Sequence, residues 1–298
     1  MGHQDIQGII PPMVTPFTEG GDLDEELHRT DARYLIEKAK VHGLAVCTST
    51  GEGYALTTEE CQTVTRWTVQ EAGGRVPVIG GVIADSTHAA VERASALAEA
   101  GVTALLATPV HSVYHPDDDS MLRFFGDIAD AARKPVIVDN VVPWFYFAPS
   151  FLTRILQNVR GVIGVKQSSN DLTALAELLL LVRETGLRDK VKIYSAINPL
   201  LYPSFILGAD GAISALTVAS PEWSVALWRA SFECQQAEAL DLHHKLLRMW
   251  GALDGENLPA NVKAAMWLQK RKAGFPRAPV PISPPDRRGK IRAVLGLR

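Results

Sequence analysis

Short apolar runs alternate with longer amphipathic stretches along most of this chain. The runs are Ile9–Val14, Gly43–Cys47, Val76–Ile83, Thr103–Ala107, Pro135–Val138, Gly161–Val165, Val191–Tyr194 and Gly211–Ala215. Each is about strand length, and most are apolar without strict alternation, the pattern of parallel strands buried on both faces. Between them, Asp24–His42, Thr57–Ala72, Thr87–Ala100, Ser120–Ala132 and Leu172–Thr185 carry helical periodicity. Thr57 with Glu60 forms a capping box, Ser86 stands where a helix start needs a cap, and Gly101 follows as a C′ glycine. The runs begin roughly 20–35 residues apart, the spacing of βαβ units. Eight of them with helices between predict an α/β fold closed as a (β/α)8 TIM barrel, although periodicity alone also fits an open doubly wound sheet. After Ser214, Pro221–Ala239, Leu240–Leu253 and Val262–Ala273 read as helices with no strand between them. The expected organisation is a barrel over 1–219 and a C-terminal helical extension over 220–298 packed upon it.

Composition narrows the function classes. Of 298 residues, 47% are hydrophobic and 21% charged, the balance of a globular protein with a full core. A net charge of -3 provides no basic footprint for nucleic acid and no polybasic membrane patch. The apolar runs fall far short of the ~20 residues a membrane helix needs. The start MGHQDIQG lacks the apolar region of a secretory signal. Cys47, Cys61 and Cys234 form no CxxC pair, so a reduced, cytoplasmic setting is expected.

Barrels of this kind carry their chemistry at the C-terminal ends of the strands. That rule selects Thr15, the Thr48–Gly53 turn, Asp85, Thr108 to His111, Asp139, Asn140, Lys166 and Ser195. Lys166 closes the run Gly-Val-Ile-Gly-Val-Lys. A lysine there must pair with a carboxylate or lose charge by desolvation, and a desolvated amine is the nucleophile that condenses with a carbonyl. A paired structural lysine, or one reaching to the rim, fits the same position. In Ser49-Thr50-Gly51-Glu52, two hydroxyls and the following amides can grip a carboxylate, as can many ordinary turns.

Taken in order, these segments resemble the dihydrodipicolinate synthase / N-acetylneuraminate lyase superfamily over nearly the whole chain. Gly8-Ile-Ile-Pro-Pro-Met-Val-Thr-Pro-Phe17 resembles its first strand, and Ser49-Thr50-Gly51-Glu52 its TTGE loop. Val76–Val82 and Leu106-Ala-Thr-Pro109 resemble strands three and four. Gly164-Val-Lys166 with Ser168-Ser169 resembles the segment bearing the Schiff-base lysine. Gly208–Ser214 resembles the strand-eight loop, and Pro259–Ala265 the C-terminal helix. The resemblance implies a class I lyase, usually a homotetramer, in which Lys166 forms an imine with pyruvate or another 2-oxo acid. The derived enamine then adds to an aldehyde, or forms by cleavage of a carbon–carbon bond. Ser49, Thr50, Gly51 and the backbone near Ile213 would hold the carboxylate and the acid–base chain. No metal and no dissociable cofactor is implied.

The chain departs from the family pattern around strand five. The usual catalytic tyrosine falls on Asp139 when Asn140 is aligned with the YNxP-type asparagine, or on Val138 in the register of the hydratase-aldolase branch. The arginine that follows in dihydrodipicolinate synthases is absent, and Pro143, Trp144, Phe145 and Tyr146 occupy its region. Val110 and His111 replace the paired tyrosines after strand four. Without the arginine, an anionic partner such as aspartate semialdehyde loses a carboxylate clamp. The expectation is therefore an aldolase or hydratase-aldolase with an apolar or aromatic aldehyde, not a true dihydrodipicolinate synthase. A 2-keto-3-deoxy sugar acid dehydratase is the alternative, and a catalytically silent keto-acid-binding relative is the alternative of another class. Asp139 is expected to move protons in place of the phenol, with His111 and Asn140 near the substrate; a strand-end cap or an ion pair also explains Asp139. His111, His115 and Asp117 to Asp119 suggest no metal centre, because Pro116 breaks the helix that i, i+4 ligands need. No GxGxxG or Walker sequence is present.

Overall fold

The computed structural model describes residues 6–110, 115–141, 146–169 and 171–297. Eight strands form one sheet: β1 (Gly8–Ile9), β2 (Leu44–Val46), β3 (Val78–Val82), β4 (Ala104–Ala107), β5 (Val136–Asn140), β6 (Val162–Gln167), β7 (Lys192–Ser195) and β8 (Gly211–Ala212). All neighbours pair in parallel, in the order β1-β8-β7-β6-β5-β4-β3-β2. A parallel bridge between Pro12 and Ala45 then joins the two outer strands. Pro12 has no N–H to donate, so the closing bonds use its neighbours. Met13 N–H donates to the Ala45 carbonyl at 2.8 Å, and Ala45 N–H to the Pro11 carbonyl at 2.9 Å. The sheet is closed, which decides the barrel over the open sheet. β1 and β8 are shorter than their apolar runs and approach unusually closely. A Cβ on Gly211 would lie 2.1 Å from the Gly8 carbonyl oxygen.

Ile10, Ala45, Ile79, Leu106, Ile137 and Ile213 fill the barrel interior, where the Tyr194 hydroxyl donates to the Ile6 carbonyl at 2.7 Å. Outward residues such as Val46, Val82, Leu105 and Val138 pack on the surrounding helices. Both faces are dry, which is why the strands lack polar alternation.

The helices are α1 (Glu25–Glu37), α2 (Thr58–Ala72), α3 (Thr87–Glu99), α4 (Asp118–Ala132), α5 (Pro149–Asn158), α6 (Leu172–Glu184), α7 (Leu201–Ile206), α8 (Ala215–Ala219), α9 (Pro221–Phe232), α10 (Gln236–Leu253), α11 (Leu258–Leu268) and α12 (Pro285–Val294). The Thr57–Glu60 capping box forms on α2, the Ser86 hydroxyl accepts from Ala89 N–H at 3.2 Å on α3, and Gly101 adopts a φ of 98°. Asp117 caps α4, with Asp118 and Asp119 in the first turn favoured by the helix dipole, so the acidic run after His115 is a helix start. Periodicity passed over α5, α7, α8 and α12. Each is short, and Pro285 opens α12 directly from a proline-rich stretch.

Leu227, Leu246, Met249, Val262 and Met266 of α9, α10 and α11 join Ile9, Val14 and Ala212 in one hydrophobic cluster. The C-terminal helices thus share apolar packing with β1 and β8. Among the described residues, no helix is long and apolar enough to cross a membrane.

Candidate active site

The β5–β6 register sets Asp139 directly beside Lys166 at the C-terminal ends of the two strands. Lys166 Nζ donates to Asp139 Oδ1 at 2.7 Å, and the two residues are only 6% and 2% exposed. Burial pushes the Asp139 carboxyl above its ordinary value, and the adjacent ammonium draws it part of the way back. The buried carboxylate is therefore more easily protonated than an exposed one.

Lys166 lines a cavity of about 270 Å³ together with Thr48, Ser49, Thr50, Ser168 and Ser214. Among the described residues, the hydroxyls of Thr48, Ser168 and Ser214 are buried without a hydrogen-bond partner. An unpaired buried polar group costs roughly 1–3 kcal/mol, so three of them around one amine suit a small polar ligand. A larger cavity, about 530 Å³, lies between α11, α12 and the preceding tail. Its walls are mainly apolar, and its lysine, Lys263, is already ion-paired. The chemistry points to the smaller one.

The turn after β2 is wound tightly. Glu52 N–H donates to the Ser49 carbonyl at 3.1 Å, and Gly53 N–H to the Thr48 carbonyl at 2.9 Å. A Cβ on Gly53 would fall 1.9 Å from the Cys47 carbonyl oxygen, so no other residue fits that approach. Gly51 does not line the cavity. Its carbonyl accepts from Thr15 Oγ1 at 2.7 Å, and a Cβ there would lie 2.7 Å from the Met13 carbonyl oxygen. Glu52, wholly buried and at φ 56°, faces away from the chemistry. It accepts from Lys263 Nζ at 2.6 Å and from Arg277 N–H at 2.9 Å, tying the turn to α11 and the tail.

Other candidates are placed as follows. Asn140 is engaged with the loop behind the strand: its amide donates to the Phe147 carbonyl at 3.0 Å and to Gln167 Oε1 at 2.7 Å, and accepts from Phe147 N–H at 2.8 Å. It is a loop anchor and not a cavity residue. Ile213 lines the cavity, but its N–H is given to the Ser195 carbonyl at 3.1 Å and is not available to a carboxylate. His111, Trp144 and Phe145 lie outside the described residues. Tyr146 is described: its hydroxyl accepts from Gln167 Nε2 at 2.8 Å, in the same network as Asn140. Gln167 follows Lys166 along β6 and so points to the opposite side, which sets that phenol behind the strand. Among the described residues, no group of three or more His, Cys, Asp or Glu side chains is arranged to hold a metal ion.

Sequence reasoning reached Thr48 only as part of the Thr48–Gly53 turn, and Ser168 and Ser214 only inside quoted motifs, without a site role for any of the three. It also missed Trp250, Asp254 and Leu258, which reach the cavity from the end of α10 and the start of α11. No local signal marks these three, because only tertiary packing brings them there.

The profile of the dihydrodipicolinate synthetase family matches residues 5–295. A 4-hydroxy-tetrahydrodipicolinate synthase of Methanopyrus kandleri is 31% identical over 99% of this chain and 97% of its own length. One from Thermomicrobium roseum is 31% identical over 97% and 94%. YagE of E. coli K12, a prophage protein of the dihydrodipicolinic acid synthase family solved with pyruvate, superposes with a TM-score of 0.91 at 26% identity, covering 98% of each chain. These findings overturn the expectation of an aldolase or hydratase-aldolase with an apolar aldehyde, set apart from the synthases. That expectation leaned on a few substitutions near strand five, of which Pro143, Trp144 and Phe145 lie outside the described residues. The relatives named as synthases match over nearly the full length instead. The chain belongs to the dihydrodipicolinate synthetase family, and with it to the class I carbon–carbon lyases.

Proposed function

We propose that this enzyme, like its relatives named 4-hydroxy-tetrahydrodipicolinate synthase, is a synthase, and that it condenses pyruvate with an aldehyde through an imine on Lys166. The observation that carries this reading is the Lys166 amine, buried in a cavity and 2.7 Å from a carboxylate whose burial favours protonation. The pyruvate complex of YagE supports the choice of keto acid.

The Lys166 ammonium passes a proton to Asp139, and the free amine adds to the pyruvate keto carbon. The Asp139 carboxyl returns that proton to the carbinolamine hydroxyl, which leaves as water and yields the protonated imine. The imine then draws electrons from the methyl carbon, whose proton goes to the Asp139 carboxylate and leaves an enamine. The enamine carbon bonds to the aldehyde carbon, the new alkoxide takes a proton from Asp139, and water hydrolyses the imine. Thr48, Thr50 and Ser214 supply hydroxyls for the pyruvate carboxylate, and Ser49 relays protons at the cavity wall. Asp139 thus occupies the role of the family's tyrosine. A homotetramer in a reduced cytoplasmic setting accompanies this reading, with light scattering as its check.

The test is intact-protein mass after borohydride reduction with pyruvate, beside an assay of pyruvate with aspartate semialdehyde. One reduced pyruvyl adduct and condensation of that pair are expected; an unmodified protein would sink the imine. Asp139→Asn should slow turnover about 10²- to 10⁴-fold, the usual size of a general-base contribution. The wild-type rate should fall as acidity protonates Asp139. Because burial raises that carboxyl above its ordinary 3.8, the acid limb should lie above that value. Its persistence in Asp139→Asn would assign the limb to another group.

A further inference from the structure

The cavity wall carries one charge that the proposed chemistry does not use. Among the described residues lining it, Lys166 and Asp254 are the only ionisable ones. Lys166 is matched by Asp139, whereas Asp254 makes no ion pair among the described residues. Its backbone is nonetheless held at both ends. Asp254 N–H donates to the Trp250 carbonyl at 2.8 Å as the C-cap of α10, and its carbonyl accepts from Arg287 Nη1 of α12 at 2.6 Å. The residue is exposed, and half-buried Trp250 and Leu258 stand with it along the cavity. A carboxylate without an ion pair among the described residues, with an indole beside it on the cavity wall, favours a positive group.

We propose that Asp254, with Trp250 beside it, is a specificity-determining residue that recognises an ammonium group on the aldehyde partner. This rests on the reading of the cavity as a site for pyruvate and an aldehyde, and it assigns the residue that meets the ammonium of an amino-aldehyde such as the aspartate semialdehyde of the assay above. Pyruvate is taken at Lys166 and the surrounding hydroxyls. The aldehyde reaches the enamine with its ammonium toward Asp254, so recognition comes from the C-terminal helices rather than from the barrel.

The test is a binding comparison that requires no turnover. Homoserine and 4-hydroxybutyrate are unreactive alcohols of matching length, with and without the ammonium. Calorimetric titration of each into the full wild-type chain and into Asp254→Asn reads the recognition directly. Homoserine should bind the wild type at least about tenfold tighter, in keeping with a charge-assisted contact. The preference should collapse in Asp254→Asn and should weaken as salt is raised, because the carboxylate is exposed. Equal binding of the two alcohols, no binding of either, or a preference that survives Asp254→Asn would overturn the assignment. Borohydride trapping of pyruvate on the same wild-type sample separates the two ideas. A pyruvyl adduct without ammonium preference removes Asp254 from recognition and leaves the imine standing, and a missing adduct removes the imine whatever the titrations show.

Discussion

Lys166→Ala should leave no borohydride-reducible pyruvyl adduct and should lower turnover at least about a thousand-fold, as loss of a covalent nucleophile does in other enzymes. The variant also strands Asp139, 2% exposed, without the cation that stabilises its charge. Its pKa, already raised by burial, then rises further because the Lys166 ammonium that opposed the shift is gone. The sign of the pH effect follows. A carboxyl whose folded pKa exceeds its unfolded value near 3.8 favours the folded state below that value. That contribution is lost as pH rises through the folded pKa. The variant should therefore melt close to the wild type at pH about 4 and progressively below it toward pH about 8. A deficit that shrinks with rising pH would show that the pair is not coupled in this way, and an adduct that persists in the variant would move the nucleophile elsewhere.

Glu52→Gln should be the most destabilising conservative change in the chain. The Glu52–Lys263 pair is 0% and 2% exposed, and removing one partner of such a pair typically costs about 3–5 kcal/mol. Lys263 is already held below its ordinary value by burial, with Glu52 opposing that shift. Without Glu52 the lysine loses its proton more easily. The deficit should thus be largest at low pH and shrink as pH rises through the depressed lysine value. Denaturant melts across pH would read this, and Glu52→Gln combined with Lys263→Met should recover much of the loss. The same turn carries Ser49 and Thr50, so the single variant should also raise the KM for pyruvate. Full stability in Glu52→Gln would show that the ion pair contributes little.

The way Glu52 and Lys166 divide their roles shows what was legible beforehand. Lys166 stood out because a lysine ending an apolar strand demands a partner or a function, and both conditions are local. Its partner was only a candidate. That Asp139 lies beside it depends on the β5–β6 register, which shifts between Val136 and Ile137 and leaves no mark in either strand. Asn140 looked equally suited to a ligand, yet its amide is engaged with Phe147 and Gln167. A strand-end position does not say which way a side chain turns. Glu52 belonged to a loop read as carboxylate-binding, whereas the fold turns it away to meet Lys263, 211 residues along the chain.

Eight dry strands, most of the helices between them and the lysine at the end of the sixth follow from the sequence, since hydrophobic periodicity and the price of burying an amine act over a few residues. Closure of the sheet through Pro11, Pro12 and Met13, the pairing of Asp139 with Lys166, the three unpartnered hydroxyls and the arrival of Trp250 and Asp254 at the cavity were decided by tertiary structure. Each of these depends on distances between segments far apart in the chain. Such distances are set by packing the whole core, and no local pattern encodes them.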